Sequence, residues 1–275
     1  MSGSTIVIDY PNCGRETVRY TLNGSGLTAS GQLVANFGGR IIPTSWNLVP
    51  GAGSSALQLD GANDYAQVAS STVFDVDAIT VEAWVRLSGN VSNQGRIITR
   101  QINNTGGWGL EVVDGALANP TSAIRNELQF HTGDCTNYSN LRNDISLQVG
   151  VWYHVAGVYD GLHRTIYVNG VAVASDQANF GLCKGLTVPI MIGKTIPSQS
   201  LFYWPGAIDE VRVWGVARTA SEIAQNMRAR LTGGESGLLG YWRFDEGTGT
   251  TSADATGRGN HASLFNGAGW TSQSW

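Results

Sequence analysis

The sequence predicts an all-β protein built as an antiparallel β-sandwich. Three observations carry that expectation: about a dozen short stretches of strand character, turn signals between them, and only one helical pattern. Composition agrees. With 36 glycines, 9 tryptophans and only 14% charged residues in 275, the chain suits short strands joined by tight turns.

Residues 1–50 hold STIVIDYP and ETVRYTLNG, two strands around Pro11-Asn12-Cys13-Gly14, then GQLVANFGG and a loop with Pro43 and Pro50. This β-rich arm either pairs with the sandwich or a partner, or supplies the first strands of one domain. The sandwich itself is assigned to residues 51–275. TVEAWVRL (80–87) alternates Val81, Ala83, Val85 and Leu87 against Thr80, Glu82, Trp84 and Arg86. WYHVAGVYD (152–160) runs into the Asp160-Gly161 turn. RTIYV then turns through Asn169-Gly170 into VAVAS, the strongest hairpin signal in the chain. VPIMIG, AIDEVRVW, GLLGYWRF and HASLF complete the strands.

The single helix is expected over Thr219–Leu231. Thr219 and Glu222 fit a capping box, and Ile223, Met227 and Leu231 recur every four residues. One such helix covers part of a sandwich but cannot supply the crossovers of a parallel sheet.

Bulk properties exclude several functions. A net charge of −4 and no Lys/Arg run argue against nucleic-acid binding. No apolar run approaches the roughly 20 residues of a membrane helix. The start, MSGSTIVIDYPNCG, lacks the basic and apolar regions of a signal peptide. Of the 3 cysteines, Cys135 and Cys183 both lie in polar, loop-like stretches. They either form one disulfide in an oxidising compartment or all three remain free thiols.

Several stretches occur in a telling order: ALQLDGANDYAQV (56–68), TVEAWVRL, WYHVAGVYDG, IYVNGVAVAS, GAIDEVRVW, TASEIAQNMRARLTGGE and GLLGYWRFDEGTGTTSADATGRGNHASLF. Together they resemble the laminin-G-like, concanavalin A-like jelly-roll domains. The resemblance covers about residues 54–275 and leaves 1–50 outside. It implies two antiparallel sheets packed face to face, a frequent structural calcium, an extracellular, cell-surface or particle-surface setting, and recognition of carbohydrate or protein.

Two carboxylates stand out against that background. Strict alternation in GAIDEVRVW puts Asp209 on one face with Val211 and Val213, and Glu210 on the other with Arg212. In YWRFDEGTG it puts Glu246 with Trp242 and Phe244. An inward carboxylate needs a cation or N–H donors. Asp209, Glu246 and a carbonyl from Gly247–Gly249, with Gly249 the named candidate, would suit a calcium ion. Related sandwich glucanases hold calcium with similar segments. Asp60 in LDGANDY is a further acidic candidate. The alternative is that these carboxylates accept hydrogen bonds from turn N–H groups.

For sugar binding, aromatic faces and polar loop residues are needed. NNTGGWGLE (103–111), HTGDCTNYSNLRND (131–144) and IPSQSLFYWPG (196–206) read as loops of that chemistry. Their candidates are Trp108, Tyr138, Asn140, Arg142, Tyr203 and Trp204. Catalysis is not expected. The Glu-x-Asp-x-x-Glu strand of the related glucanases is absent, and Asp209-Glu210 and Asp245-Glu246 point to opposite faces. His154, sharing parity with Ala156 and Val158, reads as a satisfied core histidine. The sequence therefore favours a non-catalytic recognition module with calcium. Its alternative is a decorating subunit of an appendage, virion or injection device, assembling as a homo- or hetero-oligomer through residues 1–30.

Overall fold

The computed structural model describes residues 55–102, 105–114, 126–199 and 201–272 (the Asp144 side chain excepted), together with the backbone of four strands within residues 4–48. The chain divides into two compact units, Met1–Ala52 and Gly53–Trp275. In the first, β1 (Ser4–Tyr10) pairs with β2 (Gly14–Tyr20), and β3 (Ala29–Phe37) pairs with β4 (Arg40–Leu48), each as an antiparallel hairpin.

The second unit is a sandwich of two antiparallel sheets. Its strands are β5 (Ser55–Asp60), β6 (Tyr65–Val68), β7 (Ile79–Leu87), β8 (Gln94–Ile102), β9 (Gly106–Val113) and β10 (Glu127–Asp134). They continue as β11 (Tyr138–Ser146), β12 (Trp152–Tyr159), β13 (His163–Val168), β14 (Val171–Gln177), β15 (Ile190–Ile192) and β16 (Pro205–Trp214). After helix α1 (Ala220–Asn226) come β17 (Leu238–Trp242), β18 (Thr251–Ser252), β19 (Ala262–Phe265) and β20 (Gly269–Ser272). One sheet runs β14-β13-β12-β7-β16-β5-β20, with β17 also on β16, and the other β11-β10-β9-β8-β15-β6-β19-β18. No helix among the described residues is long and apolar enough to cross a membrane.

Alternation explains the core between the sheets. Val81, Ala83, Val85 and Leu87 of β7 face Leu110 and Val112 of β9 and Leu128 and Phe130 of β10 within one buried apolar cluster. Trp108, Trp204 and Trp242 fill it out, each no more than 2% exposed. Apolar burial on this scale is the main force holding the sheets together.

The opposite face of the β7 sheet is also covered. Ile223 of α1 packs on Ala156, Val158 and Tyr167. The capping box at Thr219 and Glu222 forms as expected, but the helix stops at Asn226 rather than Leu231. The carbonyls of Asn226, Met227 and Ala229 are instead taken by side chains below: Arg212 Nη1 at 2.9 Å, Trp84 Nε1 at 2.6 Å and Arg212 Nη2 at 2.8 Å. Side-chain capping replaces another helical turn.

Here the alternation in GAIDEVRVW fails. Asp209 pairs with Trp84 and Arg212 with Glu82, so three steps on β16 match two on β7. The extra residue is a β-bulge at Glu210, whose φ is 50°. The bulge shifts the phase: Ile208, Val211 and Val213 face the core, while Asp209 joins Trp84 and Glu82 on the helix-covered face. The inward-facing Asp209 is thus corrected. Glu210 does pair with Arg212, Oε2 to Nη2 at 2.5 Å, and also accepts the Tyr241 hydroxyl at 2.5 Å. His154 is buried on this same face, 3.5 Å from Glu82, rather than in the core between the sheets.

Candidate functional site

The other sheet carries a polar row on its outer face. Arg96 on β8 lies opposite Glu111 on β9, Glu111 opposite Gln129 on β10, and Gln129 opposite Arg142 on β11. Four side chains therefore line up across four adjacent strands, about 14 Å at the usual strand spacing. Each touches the next. Arg96 and Glu111 form an ion pair, Gln129 Nε2 donates to Glu111 Oε1, and Arg142 Nε donates to Gln129 Oε1 at 2.5 Å. His131 packs beside the row, its Nδ1 3.3 Å from Glu111 and 3.4 Å from Arg96.

Burial grades across the row. Arg96, Glu111, Gln129 and His131 are at most 4% exposed, whereas Arg142 and Tyr138 are half-buried and Asn140 is exposed. Burial holds the His131 imidazole well below its ordinary value, with Arg96 and Arg164 acting the same way. It is therefore neutral at physiological pH. Burial also brings the Arg96 guanidinium down to about 10, which leaves it charged there.

Local features hold the floor and walls. Gly109 lies opposite His131, where a Cβ would come within 2.3 Å of the imidazole Cε1, so only glycine leaves room for the ring. The β10–β11 turn is fixed by Asp134 Oδ1, which accepts the N–H groups of Thr136 at 2.9 Å and Asn137 at 2.6 Å. A disulfide joins Cys135 in that turn to Cys183. The segment before β16 forms the facing wall, with Phe202 at φ 60° stacked over Arg96, 5.6 Å from the ring centre. Its carbonyl accepts the Arg96 N–H at 3.1 Å. Between these walls is a cleft of about 470 Å³ lined by Arg96, Gln129, Tyr138, Asn140, Leu201 and Phe202, among others. A second cavity, about 450 Å³, adjoins it through Gln94, Leu201 and Phe202 and takes in Tyr203.

A laminin G-type model described as the concanavalin A-like lectin/glucanases superfamily matches residues 60–224, more than half the chain. The chain belongs to this superfamily. Among curated proteins, pappalysin-1 of Mus musculus is 25% identical over 197 residues, 66% of this chain, and pappalysin-1 of Homo sapiens 25% over 193 residues, 65% of this chain. The chain spans only 12% and 11% of the length of those relatives. Among solved structures, a candidate carbohydrate binding protein from Bacteroides ovatus ATCC 8483 shares the fold, with a TM-score of 0.66 and 23% identity. That match covers 86% of this chain and 68% of the other.

Within this lectin/glucanase sandwich, the residues expected from sequence fall into separate groups. Tyr138 and Asn140 line the cleft and Arg142 follows them on the same face of strand β11, next to the lining residue Gln129, so the three stand on a strand rather than in a loop. Tyr203 lines the neighbouring cavity and lies 5.7 Å from Lys194 Nζ. Trp108 and Trp204 are core residues, 1% and 0% exposed, and offer no face to a ligand. Trp108 alternates with Leu110 and Val112 on β9, which turns it inward. Sequence reasoning missed Arg96, Glu111, Gln129, His131 and Phe202.

The calcium candidates are each engaged elsewhere. Glu246 is exposed and accepts from Ser252 Oγ at 3.1 Å and Ala253 N at 2.8 Å. Asp209 Oδ1 accepts the Glu210 N–H at 2.9 Å inside the bulge. Asp60 Oδ1 takes three N–H groups, from Ala62, Asn63 and Asp64, and these hold its carboxyl below the usual range. The Gly249 carbonyl accepts Trp270 Nε1 at 3.0 Å. Asp60 ends β5 at the far end from Ser55, the residue beside Phe244 and Gly247, a separation of about 17 Å along the strand. Among the described residues no three His, Cys, Asp or Glu side chains stand together as a metal set. Asp60 therefore stands apart from the turn that carries Glu246 and Gly249.

Proposed function

We propose that the chain is a non-catalytic carbohydrate-binding module whose ligand lies in the cleft over the Arg96–Glu111–Gln129–Arg142 row. The observation that carries this reading is the row itself. It is a run of fixed hydrogen-bonding side chains, flanked by the Phe202 and Tyr138 rings and opening to solvent at Asn140. Sugar hydroxyls need oriented donors and acceptors, and sugar faces need an aromatic surface. Membership of a superfamily named for lectins and glucanases supports carbohydrate as the ligand class. Glycosidic cleavage needs two carboxylates about the bond. The residues around this cleft supply Glu111, which is fully buried and committed to Arg96 and Gln129. A disulfide at Cys135–Cys183 suits an extracellular or surface setting.

The test is a glycan array followed by calorimetric titration of the hits against the wild type, Asn140→Ala and Phe202→Ala. Binding weakened about tenfold or more by either variant, with unchanged melting temperature, is the expected result. No glycan bound, or bound glycans indifferent to both substitutions, would remove the cleft from consideration.

A further inference from the structure

The carbohydrate reading leaves the chemical class of the sugar open, and the charges on the cleft narrow it. Glu111 is neutralised where it lies, by Arg96. Arg164, the other nearby cation, is held by Asp176 through Nε at 2.9 Å and Nη2 at 2.5 Å. Arg142 differs. Its Nε is tied to Gln129 Oε1, and among the described residues its two terminal nitrogens have neither a hydrogen bond nor an ion pair.

We propose that the cleft takes a glycan bearing a carboxylate, which reaches past the lining residues Asn140 and Gln129 to the terminal guanidinium nitrogens of Arg142 at the cleft's β11 edge. This rests on the carbohydrate reading above. Arg142, Asn140 and Tyr138 alternate along one face of β11, the edge strand of its sheet, so an acidic ring can approach from the open side. The tie at Nε fixes the plane of the guanidinium before any ligand arrives, so little rotamer freedom is lost on binding. A planar fork with two parallel N–H groups matches the two oxygens of a carboxylate. The electrostatic setting agrees. Burial raises the Tyr138 phenol, while Arg96, Arg164 and Arg142 all act to lower it.

Matched polysaccharide pairs separate this inference from the general one. Polygalacturonate, hyaluronan and alginate would each be compared with their carboxyl-reduced forms by affinity electrophoresis and titration, with chondroitin sulfate before and after desulfation as a further arm. At least one carboxylated glycan should bind tenfold or more tightly than its reduced partner. Arg142→Gln should abolish that difference while leaving the melting temperature unchanged. Equal binding of both members of every pair, retention of the preference by Arg142→Gln, or dependence on sulfate instead would overturn the inference while the carbohydrate reading stands. Failure of every glycan, neutral ones included, would sink both.

Discussion

Removing the Cys135–Cys183 disulfide should be felt in both stability and binding. The bond closes a loop across a sequence separation of 48 residues. On the chain-entropy account, a loop of that length restricts the unfolded state by about 4 kcal/mol at 25 °C. For a domain of this size, each kcal/mol shifts the melting temperature by about 2–4 °C, so a Cys135→Ser/Cys183→Ser variant should melt about 8–16 °C lower. The same bond anchors the β10–β11 turn, and Tyr138 begins the strand that follows. Glycan affinity should therefore fall in the double variant even at temperatures where it is fully folded. Calorimetric melts and titration at 15 °C check the two effects. A thiol count on the denatured, unreduced wild type should find one free cysteine out of the three in the sequence. Three free thiols, or a melting shift under about 2 °C, would refute the argument.

The remaining expectations concern the buried charges and the turns. Glu111→Gln strips the Arg96 guanidinium of its partner in a buried site and should destabilise the fold by about 3–5 kcal/mol, read from urea midpoints. A double change to apolar residues, Arg96→Met with Glu111→Leu, should recover much of that loss. Burial opposes ionisation of Glu82, yet His154, Arg212 and Arg218 together pull its carboxyl from 4.5 down to about 2. A lowered folded value means the contribution, of order 3 kcal/mol, is complete above about pH 5 and is lost as pH falls toward 2. Glu82→Gln should accordingly flatten the acid limb of the stability profile. Gly109→Ala drives a Cβ into His131 and should cost about 1–3 kcal/mol while weakening glycan binding. Glu246→Ala should cost about 1 kcal/mol, as the loss of a turn acceptor, and equally with or without a calcium chelator.

Which parts of this were legible in the sequence follows from the assumption of period two. Strands β7, β12, β13 and β14 were readable because β-branched residues alternate cleanly and Asn169-Gly170 marks their hairpin. Both turn residues indeed have positive φ, 50° and 79°. Of the four strands that carry the cleft, β9 and β11 were read as loops, because three glycines open β9 and asparagine and serine recur along β11, and β8 and β10 were not read as strands at all. Yet Gly109 of β9 has a packing reason, since it makes room for His131. The alternation was present in GWGLEVV, LQFHTG and SNLRN. There Leu110 and Val112 flank Glu111, Leu128 and Phe130 flank Gln129, and Leu141 separates Asn140 from Arg142. Reading those patterns as strands would have turned Trp108 inward and found the polar row. The bulge at Glu210 leaves no such trace, since an inserted residue changes the phase without changing composition.

Both sheets bury charges on their outer faces, and the contrast between them is what identifies a binding surface. On the β7 sheet the charges are consumed by the fold. Arg212 spends both terminal nitrogens on Glu210 and on the carbonyls of Asn226 and Ala229. Glu82 receives Trp214 Nε1 at 2.9 Å and Arg218 Nη1 at 3.2 Å. Helix α1 packs on that face through Ile223. On the β10 sheet the row begins in the same way, with the Arg96 and Glu111 charges paired to each other, but at the β11 end the terminal donors of Arg142 have no partner among the described residues and the surface is open. Desolvating a charged row is costly unless its groups are matched. At one end of this row the matching is internal, and at the other the guanidinium of Arg142 is oriented by Gln129 with its donors turned to no acceptor of the described protein. A fold that needed the row only for stability would have no reason to hold that last group in place.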